Sequence, residues 1–409
     1  MQRALPIVVC FALASVGCVE PIPPIYEEPV PLSLSSGAGA LGPRLTVGAD
    51  KDVLLSWMER RDEGAELRVS RLGDDGWLTA ADVVEDPKMF INWADFPSVT
   101  SLGDSHWIAH WLSYSADQTY SYDVLLSQST DAGQSWSAVT SPHSDGTPTE
   151  HGFVSLWKPV EESDPLAGLV WLDGRNTVNE AGDDPSPSGM TLRAAFVDAD
   201  GNLSGEQLID ELICDCCQTD VAMSSKGPIA AYRDRSPNEV RDISISRFVD
   251  GRWQLGEPFS NDGWEISACP VNGPAIAADG DLVAIAWFTA ATGTPFINVR
   301  VSKNGGKEFG ERVLIASGAV LGHVDVAYIG DSSFAVSWLR NGDDLHNIYV
   351  RSVTTAGALG KIRTVGRTAV SHTVPQMIAR DGFLIFAWTD EFNDESILAS
   401  ASVEIAYAK

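Results

Sequence analysis

The sequence predicts an all-β chain folded as a β-propeller of four-stranded antiparallel blades, seven in number with six as the alternative, closed by an N-terminal strand. Three observations carry this. First, one pattern recurs seven times: a short half-apolar run, a turn, then an apolar strand ending on an aromatic. Second, those aromatics are Trp57, Trp111, Trp171, Tyr232, Trp287, Trp338 and Trp388, at intervals of 54, 60, 61, 55, 51 and 50 residues. Regular strand-type repetition at such a period means small sheets arranged radially, each buried only against its neighbours. Third, a further pair of strand signals follows nearly every copy, separated by Asp-Gly, Asn-Gly or Gly-Gly. Such dipeptides mark tight antiparallel hairpins.

The copies supply the two inner strands of each blade. They run from Pro43, Pro97, Gly152, Cys217, Gly273, Val324 and Pro375 to their respective aromatics, and the copy ending at Trp171 carries an insertion. Outer pairs follow: ELRVSRL with WLTAADVV in blade one, DVLLSQS with WSAVTSPHS in blade two, and TLRAAFV with EQLIDEL in blade three. Blades four to six have DISISRF with WQLGEPF, INVRVS with RVLIASG, and IYVRSV with KIRTVGR. Blade seven ends in SILASASVEIAYAK and lacks a fourth strand. The segment Pro29 to Gly39 stands before blade one as RVLIASGAV stands before blade six, so it is expected to complete blade seven. Closing the ring this way removes an exposed sheet edge.

The chain has 409 residues, 28 basic against 56 acidic, for a formal charge of −28. Such a balance repels nucleic acid and anionic lipid surfaces. Residues 1–17 read as a signal peptide: a basic start at Arg3, then an apolar run from Ala4 to Val16 too short to span a bilayer as a mature helix. It ends in Ser15-Val16-Gly17-Cys18, which resembles the lipobox of bacterial lipoproteins and implies lipidation at Cys18. An ordinary signal peptide cut nearby is the other reading. Residues 18–31 are rich in Pro and Glu and read as a semi-rigid tether, leaving 32–409 for the propeller. The expected location is therefore outside the cytoplasm, as a bacterial outer-membrane or surface lipoprotein, otherwise periplasmic or secreted. A lipid anchor is the one membrane contact expected, and the propeller is expected to be a monomer.

Of six cysteines, Cys10 leaves with the signal, and Cys214, Cys216, Cys217 and Cys269 remain beside Cys18. Oxidising compartments favour one or two disulfides among them. Cys214 and Cys269 each precede their blade's aromatic by eighteen residues, so a Cys214–Cys269 clamp is expected. Cys216 and Cys217 then form a vicinal bridge or stay free. The alternative is a metal site of Cys216 and Cys217 with His151, or with His323 or His372 from other loops. No cofactor is otherwise expected.

Two outer hairpins carry a sharper signature. Ser129 to Trp136 fits S-x-D-x-G-x-x-W, and Ser302 to Phe309 fits it with Asn304 and Phe309. Asp74-Asp75-Gly76-Trp77 and Asp250-Gly251-Arg252-Trp253 look like degraded copies. These resemble the Asp-boxes, or BNR repeats, of the sialidase superfamily. The resemblance implies a propeller whose Asp-boxes are structural and lie opposite the active face. It further implies three arginines on a substrate carboxylate, an aspartic acid as acid/base, and a tyrosine nucleophile paired with a glutamate. Two departures stand out. Sialidases have six blades, and Leu41 occupies the place of the arginine of their R-I-P motif.

The loops after the apolar strands and between blades converge on one propeller face, and they hold the scarce arginines. Blade one offers Arg60, Arg61 and Asp62. Blade three offers Asp173 and Arg175. Blade four offers Arg233, Asp234, Arg235, Glu239 and Arg241, and blades six and seven offer Arg340 and Asp390-Glu391. Forked guanidiniums hold carboxylates bidentately. Arg60, Arg175, Arg233, Arg235 and Arg241 are thus the candidate substrate-binding residues, and Asp62, Asp173 and Asp234 the candidate catalytic acids. The opposing reading is that these Asp and Arg residues bridge blades structurally. Asp220, Asn272, Asp325 and Gln376 are expected to line a solvated channel. Three functions compete: a sialidase-like glycoside hydrolase acting on an anionic glycan, a non-catalytic propeller binding a glycan, glycoconjugate or protein, and a metal-binding propeller. Convergence of the arginines on one point separates the first two.

Overall fold

The computed structural model describes residues 22–48, 51–103, 105–159, 166–177 and 189–407. Cys10, Cys18 and the signal segment lie outside the described residues. Seven antiparallel sheets follow one another along the chain. Their inner strands pack in order around a central axis, and Gln376–Arg380 of blade seven meets Ala40–Val47 of blade one to close the ring.

The repeated aromatics explain why the ring holds together. The hydrophobic core is divided, with one main cluster in each gap between neighbouring blades. Every repeat aromatic enters the gap toward the preceding blade: Trp57 faces blade seven, Trp111 blade one, and so on to Trp388 against blade six. Six of the seven are at most 1% exposed, and Trp388 is 6% exposed. Each such ring removes enough apolar surface from water to contribute about 4–6 kcal/mol as an upper estimate.

A buried indole N–H needs an acceptor, and here carboxylates supply it. Trp57 donates to Glu59 at 3.3 Å, Trp111 to Asp86 at 3.1 Å, Trp171 to Asp173 at 2.8 Å and Trp287 to Asp262 at 2.8 Å. Tyr232 donates its hydroxyl to Asp210 at 2.6 Å. Five of the seven aromatics thus hold an acidic residue: Glu59 and Asp173 follow their own aromatic by two residues, and Asp86, Asp210 and Asp262 come from the preceding blade. This is a structural reason for acidic residues in loops where the sequence reading placed catalysis.

The N-terminal strand closes blade seven as expected, but it begins earlier. Ile25–Tyr26 and Val30–Pro31 both pair with Glu395–Ala406. Tyr26 is buried among Leu384, Phe386 and Val403, so four residues of the expected tether are sheet. Proline is tolerated there because an edge strand needs only alternate N–H groups. Blade two differs in the other direction. Its expected fourth strand is reduced to a single bridge, Thr140 against Leu126.

The hairpin turns that follow Ser129 and Ser302 share one hydrogen-bond pattern. Ser129 Oγ accepts the Gly133 N–H at 2.8 Å, and Asp131 accepts the Ser135 N–H at 2.8 Å. Ser302 and Asn304 repeat this with Gly306 and Glu308, both at 3.0 Å. Gly133 and Gly306 sit at φ near +80°, where a side chain is strained. Both turns lie on the face away from the arginine-bearing loops.

Candidate functional site

The axis is built first by register. Arg44, Ser98, Ser155, Asp220, Ala275, Asp325 and Gln376 each pair with the residue preceding their blade's aromatic, so they form one ring. Arg44 spans that ring. Its guanidinium donates to Gln376 Oε1 at 3.0 Å and stands 3.7 Å from Asp220 Oδ1. Asp220 and Asp325 each accept a backbone N–H from the next blade, from Ile276 at 2.9 Å and Met377 at 2.7 Å. Burial pushes the Asp325 carboxyl up to about 7, helped by the neighbouring Asp220 charge. Of the lining expected from the sequence, Asp220, Asp325 and Gln376 stand in this ring together with Arg44, one residue past Pro43, whereas Asn272 lies outside it, donating to Pro270 O and Leu321 O and accepting the His323 N–H.

Above the ring, the connection from blade one to blade two crosses the axis. Gln218 donates to Ala94 O at 2.8 Å, and Asp95 accepts the Phe153 N–H at 2.8 Å. This places Trp93 edge-on to His323, 5.7 Å between ring centres, and to His372, 5.5 Å. A cavity of about 150 Å³ opens beside it, walled by Leu41, Arg60, Trp93, Phe96, His372 and Glu391, among others. Arg60 also borders an open groove of about 750 Å³ with Arg61, Asp62, Glu63 and Glu85. Arg60 and Asp62, named from the sequence, are thus brought together. Trp93 and Phe96 were not foreseen, because nothing local shows that their loop crosses the axis.

The remaining arginines do not converge. Arg233 is buried and donates to three carbonyls, Asn272 O, Arg241 O and Phe288 O, at 2.8, 2.6 and 2.8 Å. It brackets blades four and five and has no fork left for a substrate. Arg175 grips Asp173 bidentately, both bonds 2.7 Å, and reaches Glu206 at 3.0 Å. Arg235 pairs with Glu239 at 2.6 Å and Asp215 at 3.1 Å, and Arg241 with Glu239 at 2.8 Å. These four are corrected from substrate binding to internal pairing, since each guanidinium already faces carboxylates or carbonyls.

Asp173 is likewise corrected. It is fully buried between Trp171 and Arg175, and although burial opposes ionisation, the hydrogen bonds from Arg175 and Trp171 hold its carboxyl below the ordinary carboxylate value. A carboxylate held ionised in this way is a poor proton donor. Asp234 is the reverse: burial, then the Asp210 charge, lifts it to about 6. The Tyr122 hydroxyl donates to Glu150 at 2.6 Å and lies 3.0 Å from an Asp95 oxygen, a tyrosine–carboxylate pair of the kind the resemblance implies. However, Tyr122 is 1% exposed and stacked on Phe90, so its oxygen is closed to a substrate.

The cysteine expectation is corrected by two residues. The bridge joins Cys216, not Cys214, to Cys269, while Cys214 and Cys217 are buried thiols. The expected metal set is not assembled. His151 lies stacked on His143 at 3.8 Å, among Asp123, Asp145 and Asp173. The Arg175 guanidinium, 3.5 Å from Asp145, already supplies cationic charge there.

No protein-family pattern and no curated protein matches the chain. Solved structures do resemble it. A protein of unknown function from Dyadobacter fermentans matches over 93% of this chain and 99% of its own, with 12% identity and a TM-score of 0.51. The polysaccharide lyase Uly1 matches over 91% and 92%, with 10% identity and a TM-score of 0.54. The endosialidase of phage phi92 matches over 93% of this chain and 70% of its own, with 8% identity and a TM-score of 0.50. At these identities the likeness is one of fold: a β-propeller, with a polysaccharide lyase and an endosialidase among the proteins it resembles.

Proposed function

We propose that this chain is an exported, lipid-anchored propeller that binds an anionic glycan on its loop face, at the groove and cavity flanking Arg60. One observation carries the reading. Of the five arginines named above, Arg60 is the one whose guanidinium has no carboxylate or carbonyl partner among the described residues, and it stands between the two concavities. Arg60 offers a forked donor to a sugar carboxylate or sulfate, and Trp93 and Phe96 offer apolar faces to the ring. Asp62, Glu391 and Thr373 offer acceptors to hydroxyls. Glycan-active proteins of the same fold support the sugar class, without specifying the sugar.

The same geometry favours binding over sialidase-type hydrolysis, which relies on three converging arginines and an accessible tyrosine. Calorimetric titration with uronate-bearing, sialylated, sulfated and neutral oligosaccharides tests the reading. Anionic chains are expected to bind, Arg60→Ala to weaken them at least tenfold, and a fluorogenic sialoside to remain uncleaved. Equal affinity for neutral and anionic chains, or unchanged affinity in Arg60→Ala, sinks it. Anchoring rests on the lipobox-like Ser15 to Cys18. Fatty-acid labelling is expected in the wild type and lost in Cys18→Ala.

A further inference from the structure

The four cysteines of blades four and five are disposed for chemistry among themselves. Cys216 and Cys269 form the bridge, which ties the connection before blade four to the connection before blade five, 53 residues apart in sequence. Cys269 is exposed and Cys216 half-buried. Directly behind lie two thiols, Cys214 at 1% and Cys217 at 2% exposure. Their sulfurs are 3.1 Å apart, and Cys214 Sγ is 3.9 Å from Cys216 Sγ. Three sulfurs therefore stand in contact in the order Cys217, Cys214, Cys216, and the fourth, on Cys269, is bonded to the last.

The middle sulfur is the one prepared as a nucleophile. Arg241 Nη1 donates to Cys214 Sγ at 3.3 Å. The Cys217 thiol, then the backbone, Arg233 and Arg241, pull Cys214 well below the ordinary thiol value, while burial pushes Cys217 up. A thiolate held by an arginine beside a disulfide sulfur is the reactant arrangement of thiol–disulfide exchange.

We propose that these four residues form an internal disulfide relay, in which the buried dithiol Cys214/Cys217 exchanges with the exposed Cys216–Cys269 bridge. The Cys214 thiolate attacks Cys216 Sγ, forming Cys214–Cys216 and releasing the Cys269 thiolate to solvent. Cys217 then gives its proton to solvent and attacks Cys214 Sγ, forming Cys214–Cys217 and releasing the Cys216 thiolate. One disulfide and two thiols are present before and after, so no outside oxidant or reductant is consumed. What changes is the cross-link, which moves from between two connections to within one. Gln218, next along from Cys217, accepts the Gly273 N–H at 3.3 Å and holds Ala94 beside Trp93. The exchange thus loosens the scaffold under the axial cavity.

The test is disulfide mapping on the full chain in its one-disulfide form, with no reductant or oxidant added, trapped in acid. Both Cys216–Cys269 and Cys214–Cys217 peptides are expected. Alkylating the native protein with iodoacetamide traps Cys269 and Cys216 as the exchange exposes them, which drives the population to Cys214–Cys217. In Cys214→Ser, labelling of Cys269 is expected to fall at least about tenfold. In Cys217→Ser the relay is expected to stop at Cys214–Cys216 with Cys269 labelled, a result that does not depend on Cys214→Ser folding. Arg241→Gln is expected to slow labelling of Cys269 about tenfold. The relay is overturned if Cys214–Cys217 never appears, if Cys269 is labelled as fast in Cys214→Ser as in wild type, or if Cys217→Ser accumulates no Cys214–Cys216.

Discussion

The loops of blades three and four and those of blades seven and one carry similar residue types but do different work. On the first side, Arg175, Arg193, Arg233, Arg235 and Arg241 are closed in by Asp173, Glu206, Asp215, Glu239 and backbone carbonyls. On the other, Arg60 faces two concavities beside Trp93 and His372. The density of arginine is higher where there is no room for a ligand. An arginine is informative about binding only once its partners are counted, because a guanidinium held by buried carboxylates is part of the scaffold.

The largest effect expected from this contrast is on the closed side. Asp173→Ala leaves Arg175 and the Trp171 indole without their acceptor and is expected to cost about 3–5 kcal/mol, read as a lower denaturant midpoint. A wild-type midpoint breaks the description of that side as scaffold. Next comes Arg60→Ala, expected to cost about 1.5–3 kcal/mol of anionic-glycan affinity with the unfolding midpoint unchanged. Loss of stability instead would move Arg60 to the scaffold side.

The axis between the two sides is expected to give a pH signature. Asp325 and Glu150, each near 7 when folded, hold protons that the unfolded chain releases at ordinary carboxylate pH. Their contribution is therefore full below about pH 4 and is lost as pH rises through about 7. Over that window stability should fall by on the order of 3–4 kcal/mol per group, set against the opposite slope of paired carboxylates such as Asp173. Glu150→Gln and Asp325→Asn should each flatten the decline, and equal slopes in mutant and wild type exclude these groups as its source. Trp93→Ala is expected to weaken glycan binding by about 1 kcal/mol, measured by the same titration. The smallest effect is expected at Asp62, exposed in the groove. Asp62→Asn should change stability by less than about 0.5 kcal/mol, and a larger loss would show that it props the loop.

Much of the fold was readable from the chain because a propeller repeats one local solution. Strand, turn and aromatic recur at intervals the eye can count, and the seven gaps they fill are the core. The site was less readable. Arg60 and Asp62 were found because they directly follow a repeat strand. Arg44 carries no signal of its own in the chain, since its role depends on Asp220 and Gln376 from two other blades. Asp173 was misread because a carboxylate that receives an indole N–H and one that protonates a substrate look alike in sequence.

Seven blades, the inner strands and the use of an N-terminal strand to close the ring follow from periodicity in the chain, because strand patterning and turn chemistry act over a few residues. Which arginines are free, which cysteine meets Cys269 and which loop crosses the axis were decided by the tertiary structure. Those outcomes depend on side chains tens to hundreds of residues apart, and a shift of two residues, as between Cys214 and Cys216, changes which sulfur faces which.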